Sequence, residues 1–159
     1  MRVTPLFISI LLLSFSCKMV HETKSLGSID RTDPSVDKII DPSATIEILS
    51  DGYDWSEGPV WVESEKMLLF SDVPKNVVYK WTEQDSIEVY LKPSGYTGQV
   101  ASNSGEEGSN GLALNNDGKL VLCQHGDRLL AVLDAPLNNV KPEYTSIADA
   151  YEGKKFNSP

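Results

Sequence analysis

The sequence is poor in cysteine, histidine and basic residues, and each shortage excludes a class of protein. The 159 residues include 2 cysteines, 2 histidines and 14 Lys and Arg against 23 Asp and Glu, for a formal net charge of −9. Nucleic acid binding needs clustered Lys and Arg, and the chain has no such cluster. Two cysteines do not build a disulfide framework. We therefore expect neither a nucleic acid partner nor a disulfide scaffold.

Long apolar runs are also scarce, and the one near the start reads as an export signal. Arg2 precedes an apolar run over 6–15, shorter than the roughly 20 residues that span a bilayer. The run ends at Ser16-Cys17, as in a bacterial lipoprotein signal, although Ser14 stands where that pattern has a branched aliphatic residue. We expect residues 1–17 to be a signal, with Cys17 either lipidated or lost by ordinary secretory cleavage.

Export then places the mature protein in the bacterial periplasm or on the outer membrane, with a lipid anchor at Cys17 as its membrane contact. Residues 18–43 are polar, and prolines at 34 and 42 interrupt regular structure, so we predict a flexible tether. No metal role is expected for His21. Cys123 lies in an apolar run, which favours a buried structural thiol over a nucleophile.

From residue 44 onward the pattern is β, since no ten-residue stretch has a convincing helical period. Asp117-Gly118 ends a strong hairpin turn signal. The predicted strands form two sets: 45–49, 59–62, 67–70, 77–81 and 87–91, then 112–114, 120–123, 129–133 and 144–147.

The two sets repeat each other. With Gly58 laid on Gly111, the offset is 53 (111 − 58 = 53) and holds for about 25 residues without a gap. Apart from the strand at 45–49, each set predicts four antiparallel strands, the blade of a β-propeller. We predict an all-β fold, with 44–159 as the first two blades of an incomplete β-propeller. The stretch 95–109, rich in Gly, Ser and Asn, is an insertion at the blade junction. Loops of this length are often functional or mobile, but we expect a plain surface loop here.

A propeller needs about four to eight blades, so we expect this chain to be the N-terminal part of a longer protein. A two-blade unit completed by oligomerisation is the alternative.

Five motifs stand in order along the chain: Ser56-Glu57-Gly58-Pro59-Val60-Trp61, Phe70-Ser71-Asp72-Val73-Pro74, Ser109-Asn110-Gly111-Leu112-Ala113, Cys123-Gln124-His125-Gly126 and Lys155-Phe156-Asn157-Ser158-Pro159. Together they resemble the gluconolactonase / senescence-marker-protein / luciferin-regenerating-enzyme family over about 48–159. The resemblance implies a six-bladed β-propeller with one divalent cation in its central channel and Glu57 as a metal ligand. It also implies that the other ligands, an asparagine and an aspartate, come from later blades, and that the general base lies beyond Pro159.

Metal-dependent hydrolysis of a sugar lactone such as gluconolactone is the function this resemblance implies. A lactone is an internal ester, and a divalent cation can polarise its carbonyl and activate water while a carboxylate acts as general base. The oxygen donor Glu57 favours calcium, with zinc or magnesium as alternatives. We expect a monomer, and no activity from this 159-residue chain alone.

The alternatives are a non-catalytic exported propeller that binds a sugar or a protein, and an esterase like the paraoxonases or strictosidine synthases. The Glu-Gly-Pro-Val-Trp match disfavours the esterase.

Several candidate residues keep two interpretations. Glu57 either binds the cation or caps a turn or pairs with a surface cation. Asn110, which is aligned with Glu57 in the repeat, either binds a sugar hydroxyl or forms hydrogen bonds with backbone groups at the strand end. His125 either binds substrate or shuttles protons, or is a hydrogen-bonded structural histidine. Asp72, its repeat equivalent, is predicted to accept hydrogen bonds in a turn.

Four further side chains are given structural roles. Arg128 is expected to project to solvent. The tryptophans are expected to fill the core between blades rather than stack on a sugar: Trp55, Trp61 and Trp81.

Overall fold

The computed structural model describes residues 24–98, 105–157 and 159. These residues belong to two compact units, divided between Ile48 and Leu49. The predicted signal at 1–17, including Cys17, lies outside the described residues, as does His21, and the predictions for them stay predictions. In the described part, no helix is long and apolar enough to cross a membrane.

The first unit holds two short strands and one turn of helix. Strand β1 (Lys24–Ser25) pairs antiparallel with β2 (Glu47–Ile48), and a 3-10 helix spans Pro34–Lys38. Asp33 caps this helix by accepting a hydrogen bond from the Ser35 backbone, 2.7 Å long. Proline suits the first helical position, where no N–H is needed. Pro34 therefore begins regular structure here, contrary to the prediction, and the strand predicted at 45–49 pairs with β1.

The second unit consists of two antiparallel four-stranded sheets, each with its strands in chain order. The all-β prediction is confirmed, and each of the eight strands predicted from residue 59 onward overlaps an observed one. Closure into a propeller stays a prediction. The first sheet contains β3 (Ser56–Val62), β4 (Met67–Asp72), β5 (Val77–Thr82) and β6 (Ser86–Leu91), and the second contains β7 (Ser109–Leu114), β8 (Leu120–Gln124), β9 (Leu129–Leu133) and β10 (Tyr144–Ala148).

The core lies between one face of each sheet. Alternate residues of β4 and β8 point into it, because successive side chains of a strand face opposite sides. Burying one such leucine contributes about 1.5–3 kcal/mol. The main fully buried members are Val62, Leu69, Val78, Leu120, Leu122 and Leu133.

The opposite face of the first sheet is aromatic and partly exposed. Trp61 pairs across the ladder with Leu68, on the face turned away from Leu69 and the core. Trp55 and Trp61 are 45% and 44% exposed. The prediction that these tryptophans fill the core is therefore wrong for the core of this structure, because the β alternation turns Trp61 outward.

The strand registers show that the internal repeat has a one-residue gap. Leu69 of β4 and Leu122 of β8 correspond at the predicted offset of 53 (122 − 69 = 53). Their ladder partners, Val60 and Leu112, correspond at an offset of 52 (112 − 60 = 52). The gapless alignment is therefore wrong for the first strand of each sheet.

The gap falls in the hairpin turn. The turn after β3 holds residues 63–66, whereas the turn after β7 is one residue longer and holds 115–119. As a result, the ladder position of Glu57 in the first sheet is held in the second sheet by Ser109, not by Asn110.

Gly58 allows the two sheets to meet where β3 and β7 begin. Its φ angle is +56°, and a Cβ built on it would lie 2.2 Å from the Asn110 carbonyl oxygen and 2.8 Å from the Leu112 nitrogen. A side chain at this position would clash with backbone that cannot move aside. Gly58 thus keeps the residues beside it, including Glu57, next to the start of β7.

We expect Gly58→Ala to lower the free energy of unfolding by more than about 2 kcal/mol, because it adds a clash to the strain of a left-handed backbone. Gly118→Ala is the matched control, since Gly118 also has a positive φ, +74°, but has no atom within 4 Å of a built Cβ. It should cost about 1 kcal/mol. Urea denaturation measures both, and equal losses would contradict the close approach.

Candidate functional site

The predicted polar residues gather at one end of the two sheets. Glu57 lies near the start of β3, beside Asp72 at the end of β4, and the backbone of Gly58 contacts that of Asn110 near the start of β7. His125 follows the last residue of β8. Because antiparallel pairing places the start of each strand beside the end of its neighbour, Glu57, Asp72, Asn110 and His125 all lie at the same end of the two sheets.

Glu57 is half-buried and is oriented by the residue two before it. Its Oε1 accepts a 2.9 Å hydrogen bond from the Trp55 indole nitrogen. In the described ranges, no Lys, Arg or His side chain forms an ion pair with Glu57. The structure therefore does not support the interpretation in which Glu57 pairs with a surface cation.

Asp72 holds the chain that enters β3. It is fully buried, and its two carboxylate oxygens accept hydrogen bonds from the backbone nitrogens of Trp55 (3.2 Å) and Asp54 (3.3 Å). Lys75 donates to it at 2.8 Å, and this hydrogen bond raises the pKa of Lys75. The predicted role of Asp72 as a hydrogen-bond acceptor is confirmed, and it places Trp55 and therefore Glu57.

His125 joins Asn110 to a residue that sequence reasoning missed. The His125 Nδ1 atom lies 3.5 Å from the Asn110 side-chain nitrogen, and its Nε2 atom lies 3.2 Å from a carboxylate oxygen of Glu106. The His125 side chain is 20% exposed. Glu106 lies in the loop that we predicted as plain surface, and no pattern in the sequence singles it out from Glu107.

Asn76 fixes the path of the chain that leads from the first sheet into this loop. It is buried and has a φ angle of +56°. Its carboxamide oxygen accepts hydrogen bonds from three successive backbone nitrogens, those of Ser94 (2.9 Å), Gly95 (2.7 Å) and Tyr96 (3.2 Å). Its amide nitrogen donates to the Tyr96 carbonyl at 2.9 Å. The Ser94 nitrogen also donates to the Asn76 backbone carbonyl, at 3.1 Å, so the side chain of Asn76 mainly supplies partners to the backbone of Gly95 and Tyr96.

The two ends of the 95–109 loop are buried, so the prediction of a plain surface loop is wrong there. A Cβ on Gly95 would lie 2.1 Å from the Gly108 carbonyl, and one on Gly108 would lie 2.7 Å from the Val73 carbonyl oxygen. Backbone packs on backbone, which the glycine-rich composition permits. This packing brings the segment that carries Glu106 against the end of β8.

A buried layer of hydrogen bonds joins β4, β7 and β8 to Ser94 at the same end of the two sheets. The hydroxyls of Ser71 and Ser109 are 2.7 Å apart. The Ser109 nitrogen donates to the Ser94 hydroxyl at 3.1 Å, and Gln124 donates to the Ser94 carbonyl at 3.1 Å. In the described part of the chain, no buried side-chain polar atom lacks a partner. The layer is therefore satisfied and rigid.

Arg128 is exposed, but its side chain does not simply project to solvent, which is what the sequence predicted. Its guanidinium donates to the carbonyls of Phe156 (2.6 Å) and Lys155 (3.2 Å). Lys155 in turn donates to the Asp127 carbonyl at 3.1 Å. These bonds dock the end of the described chain onto the turn after His125.

Cys123 is a half-buried free thiol. Burial raises its pKa, which disfavours the thiolate that nucleophilic chemistry requires. This agrees with the structural role predicted for it.

The described residues do not fit a complete metal site. No group of three or more His, Cys, Asp or Glu side chains in the ranges 24–98 and 105–157 could hold a metal ion. Glu57 supplies one carboxylate, of which one oxygen accepts from Trp55. Hard cations such as calcium take six to eight oxygen ligands, so one carboxylate can be at most a part of such a site.

Comparison with protein families places the chain. Residues 55–158 match the SMP-30/Gluconolactonase/LRE-like region, which is well over half of the sequence. The chain therefore belongs to this family, and the resemblance drawn from its five motifs is confirmed.

Individual relatives agree with this assignment. A gluconolactonase of Zymomonas mobilis subsp. mobilis is 39% identical over 136 residues, which cover 85% of this chain and 37% of the relative. A solved gluconolactonase from Xanthomonas campestris, described as important in glucose secondary metabolic pathways, superposes with a TM-score of 0.58 at 30% identity. That match covers 74% of this chain and 34% of the other.

A further X-ray structure, of a protein provisionally described as a gluconolactonase, has a TM-score of 0.55 at 37% identity. It covers 70% of this chain and 33% of that one. The chain thus spans about a third of the length of the relatives it matches.

We expect Asn76→Ala to lower the free energy of unfolding by about 3 kcal/mol, because it leaves buried backbone groups without partners. Asn115→Ala is the control: the side chain of Asn115 also accepts from two backbone nitrogens, at 3.0 and 2.9 Å, but in an exposed turn. Its cost should be within about 1 kcal/mol. Thermal or urea denaturation measures both, and a similar small loss for Asn76→Ala would contradict its supporting role.

Proposed function

We propose that the intact protein hydrolyses sugar lactones. Water adds to the carbonyl carbon, the bond from that carbon to the ring oxygen breaks, and the ring oxygen takes a proton, leaving a hydroxy acid. The observation that carries the proposal is membership of the gluconolactonase family over 55–158. The gathering of Glu57, Asn110 and His125 at one sheet edge supports it.

Asn110 and His125 are the proposed substrate-binding residues. An amide and an imidazole can each donate and accept hydrogen bonds, which suits a lactone that carries several hydroxyl groups. Both are half-buried and lie within 3.5 Å of each other. A hydroxyl bound there would be held at the edge where β3 and β7 begin, beside Glu57.

We also propose that Glu57 contributes one oxygen ligand to a divalent cation, calcium before magnesium or zinc. The support is a half-buried carboxylate without an ion-pair partner among the residues that the structure describes. Because the described residues do not complete a metal site, Glu57 would be one ligand among several. When bound, such a cation would polarise the lactone carbonyl.

Proton release from glucono-lactone by the intact protein, corrected for spontaneous hydrolysis, tests this proposal. We expect Glu57→Gln to lower the catalysed rate by about 100-fold or more, as does a chelator, because each removes charge stabilisation worth several kcal/mol. Glu63→Gln should change the rate less than about twofold. Glu63 is a matched control, since its carboxylate also accepts from a tryptophan two residues before it, Trp61, at 2.6 Å.

Equal rates for wild type and Glu57→Gln would remove Glu57 from the site. Saturable lactone binding without any acceleration of hydrolysis would favour the alternative, a propeller that binds a sugar and performs no chemistry.

A titration of metal ions into the intact protein tests the cation separately from activity. We expect calcium to bind to wild type and to Glu63→Gln alike, and at least about tenfold more weakly to Glu57→Gln, because calcium affinity depends on the number of charged oxygen ligands. Isothermal calorimetry measures this directly. Unchanged calcium affinity in Glu57→Gln would contradict the proposed ligand. Binding of zinc but not of calcium to the wild type would contradict the proposed metal.

A further inference from the structure

The Trp55 indole holds one oxygen of Glu57, the carboxylate that the function proposed above assigns to a cation. Trp55 lies directly before β3, and Glu57 is the second residue of that strand. The indole nitrogen donates to Glu57 Oε1 at 2.9 Å. Among the described residues, this indole is the only hydrogen-bond partner of the Glu57 carboxylate. Oε1 is therefore held by the protein, and Oε2 is left for a ligand.

The backbone of Trp55 is itself fixed on both sides. Its nitrogen donates to Asp72 Oδ1 at 3.2 Å, and its carbonyl accepts from the Val73 nitrogen at 3.1 Å. Asp72 is fully buried, and the Lys75 ammonium lies 2.8 Å from its other oxygen. A buried carboxylate whose oxygens are all satisfied has few alternative positions. The end of β4 thus fixes the residue from which the indole reaches Glu57.

A second pair with the same spacing lacks this arrangement. Trp61 donates to the Glu63 carboxylate at 2.6 Å, and its side chain is exposed to nearly the same extent as that of Trp55. Glu63, however, is largely exposed and also pairs with Lys66. The charge of Glu63 is therefore already compensated, whereas Glu57 has no ion-pair partner in the part of the chain that the structure describes. The second pair is a matched control for the first.

A carboxylate that is already oriented binds a ligand at a smaller entropic cost. A free glutamate side chain loses rotational freedom when a ligand fixes its oxygens, and an orientation that is set beforehand reduces this loss. Unlike a lysine, the indole is a neutral donor, so it orients the carboxylate without cancelling its charge. The indole of Trp55 therefore gives Glu57 a fixed position and leaves its charge available.

We propose that Trp55 is a positioning residue of the lactone site, and that it acts through Glu57. Its indole N–H holds the carboxylate in one orientation before a ligand arrives. This inference rests on the proposed function for what Glu57 binds, but the hydrogen bond between the two side chains can be tested without any ligand.

Nuclear magnetic resonance of the intact protein labelled with ¹⁵N-tryptophan reports each indole N–H, and Trp55→Phe and Trp61→Phe assign two of the signals. We expect Glu57→Gln to shift the Trp55 signal upfield, because a neutral amide oxygen is a weaker acceptor than a carboxylate. The Trp61 signal should not move. Glu63→Gln should have the reverse effect. Added calcium should shift the Trp55 signal of the wild type and leave the Trp61 signal unchanged.

Calcium titration of the variants supplies the second readout. Trp55→Phe keeps an aromatic ring and removes the N–H. It should bind calcium about tenfold more weakly, the lower end of the loss that follows removal of a hydrogen-bond partner of a metal ligand. Trp61→Phe should bind like wild type. Added to Glu57→Gln, Trp55→Phe should cause little further loss, because both changes act on one interaction. An unchanged melting temperature of Trp55→Phe would separate this loss from a loss of folding.

A Trp55 signal that Glu57→Gln does not move, or fully additive losses in the double variant, would overturn the proposal. If calcium binds and lactone is hydrolysed as proposed, but Trp55→Phe matches wild type in calcium affinity and in kcat/KM, the positioning role alone fails. If the indole signals behave as expected but the wild type neither binds calcium nor accelerates lactone hydrolysis, the proposed function fails and the positioning role fails with it, while the hydrogen bond between the two side chains stands.

Discussion

The two backbones that pass each other at Gly58 set the geometry on which the rest of the second unit depends. A carbonyl oxygen of β7 lies 2.2 Å from where a side chain on Gly58 would begin, so the two first strands come closer than any other residue permits. This approach brings the start of β3, which includes Glu57, next to the start of β7, which includes Asn110. The apolar core stabilises the packing of the two sheets, and the close contact at Gly58 fixes where the backbones of β3 and β7 meet.

Close backbone contact has a cost, because polar groups brought together must find partners. In this structure, short polar side chains supply the hydrogen-bond partners. Asn76 satisfies three backbone nitrogens of the chain leaving the first sheet, and a buried serine pair joins β4 to β7. Because every such group must be satisfied, the arrangement has few alternatives. A rigid edge of this kind suits a binding site, whose groups must keep their positions without the ligand.

Much of the fold could be predicted because it is written in local patterns. Alternating apolar residues and the Asp117-Gly118 turn give eight strands and their antiparallel order. The repeat itself was visible, but its register was not: because the turn after β7 is one residue longer, Ser109 and not Asn110 holds in the second sheet the ladder position that Glu57 holds in the first. An alignment that lays one glycine on another can hide such a gap, since only the hydrogen-bond ladder shows which residues of the two strands pair.

The site was predicted in part. Glu57, Asn110 and His125 were proposed from motifs at strand ends, and the topology does bring them to one end of the two sheets, but their roles stay predictions. Glu106 and Asn76 were not found, because their roles depend on a loop whose path no periodicity reveals. Trp55 and Trp61 were placed wrongly with respect to the core between these two sheets, since an aromatic residue in a strand can face either side, and the sequence of one strand does not say which side another sheet will cover.

Glu57 and Glu63 show why motif and position must be considered together. Each follows a tryptophan by two residues on or next to β3, and each accepts a hydrogen bond from that indole. Glu63 is 73% exposed and already pairs with Lys66, and this hydrogen bond lowers its pKa. Glu57 is half-buried beside a second strand and, within the described ranges, has no cationic partner.

A carboxylate whose charge is already compensated gains little from a metal ion, whereas one held in a partly buried place without compensation gains much. The same local sequence pattern therefore gives a solvated surface group at one end of a strand and a candidate ligand at the other. The difference lies in what the rest of the fold brings to each end: a flexible lysine to Glu63, and the backbone of β7 with Asn110 and His125 to Glu57.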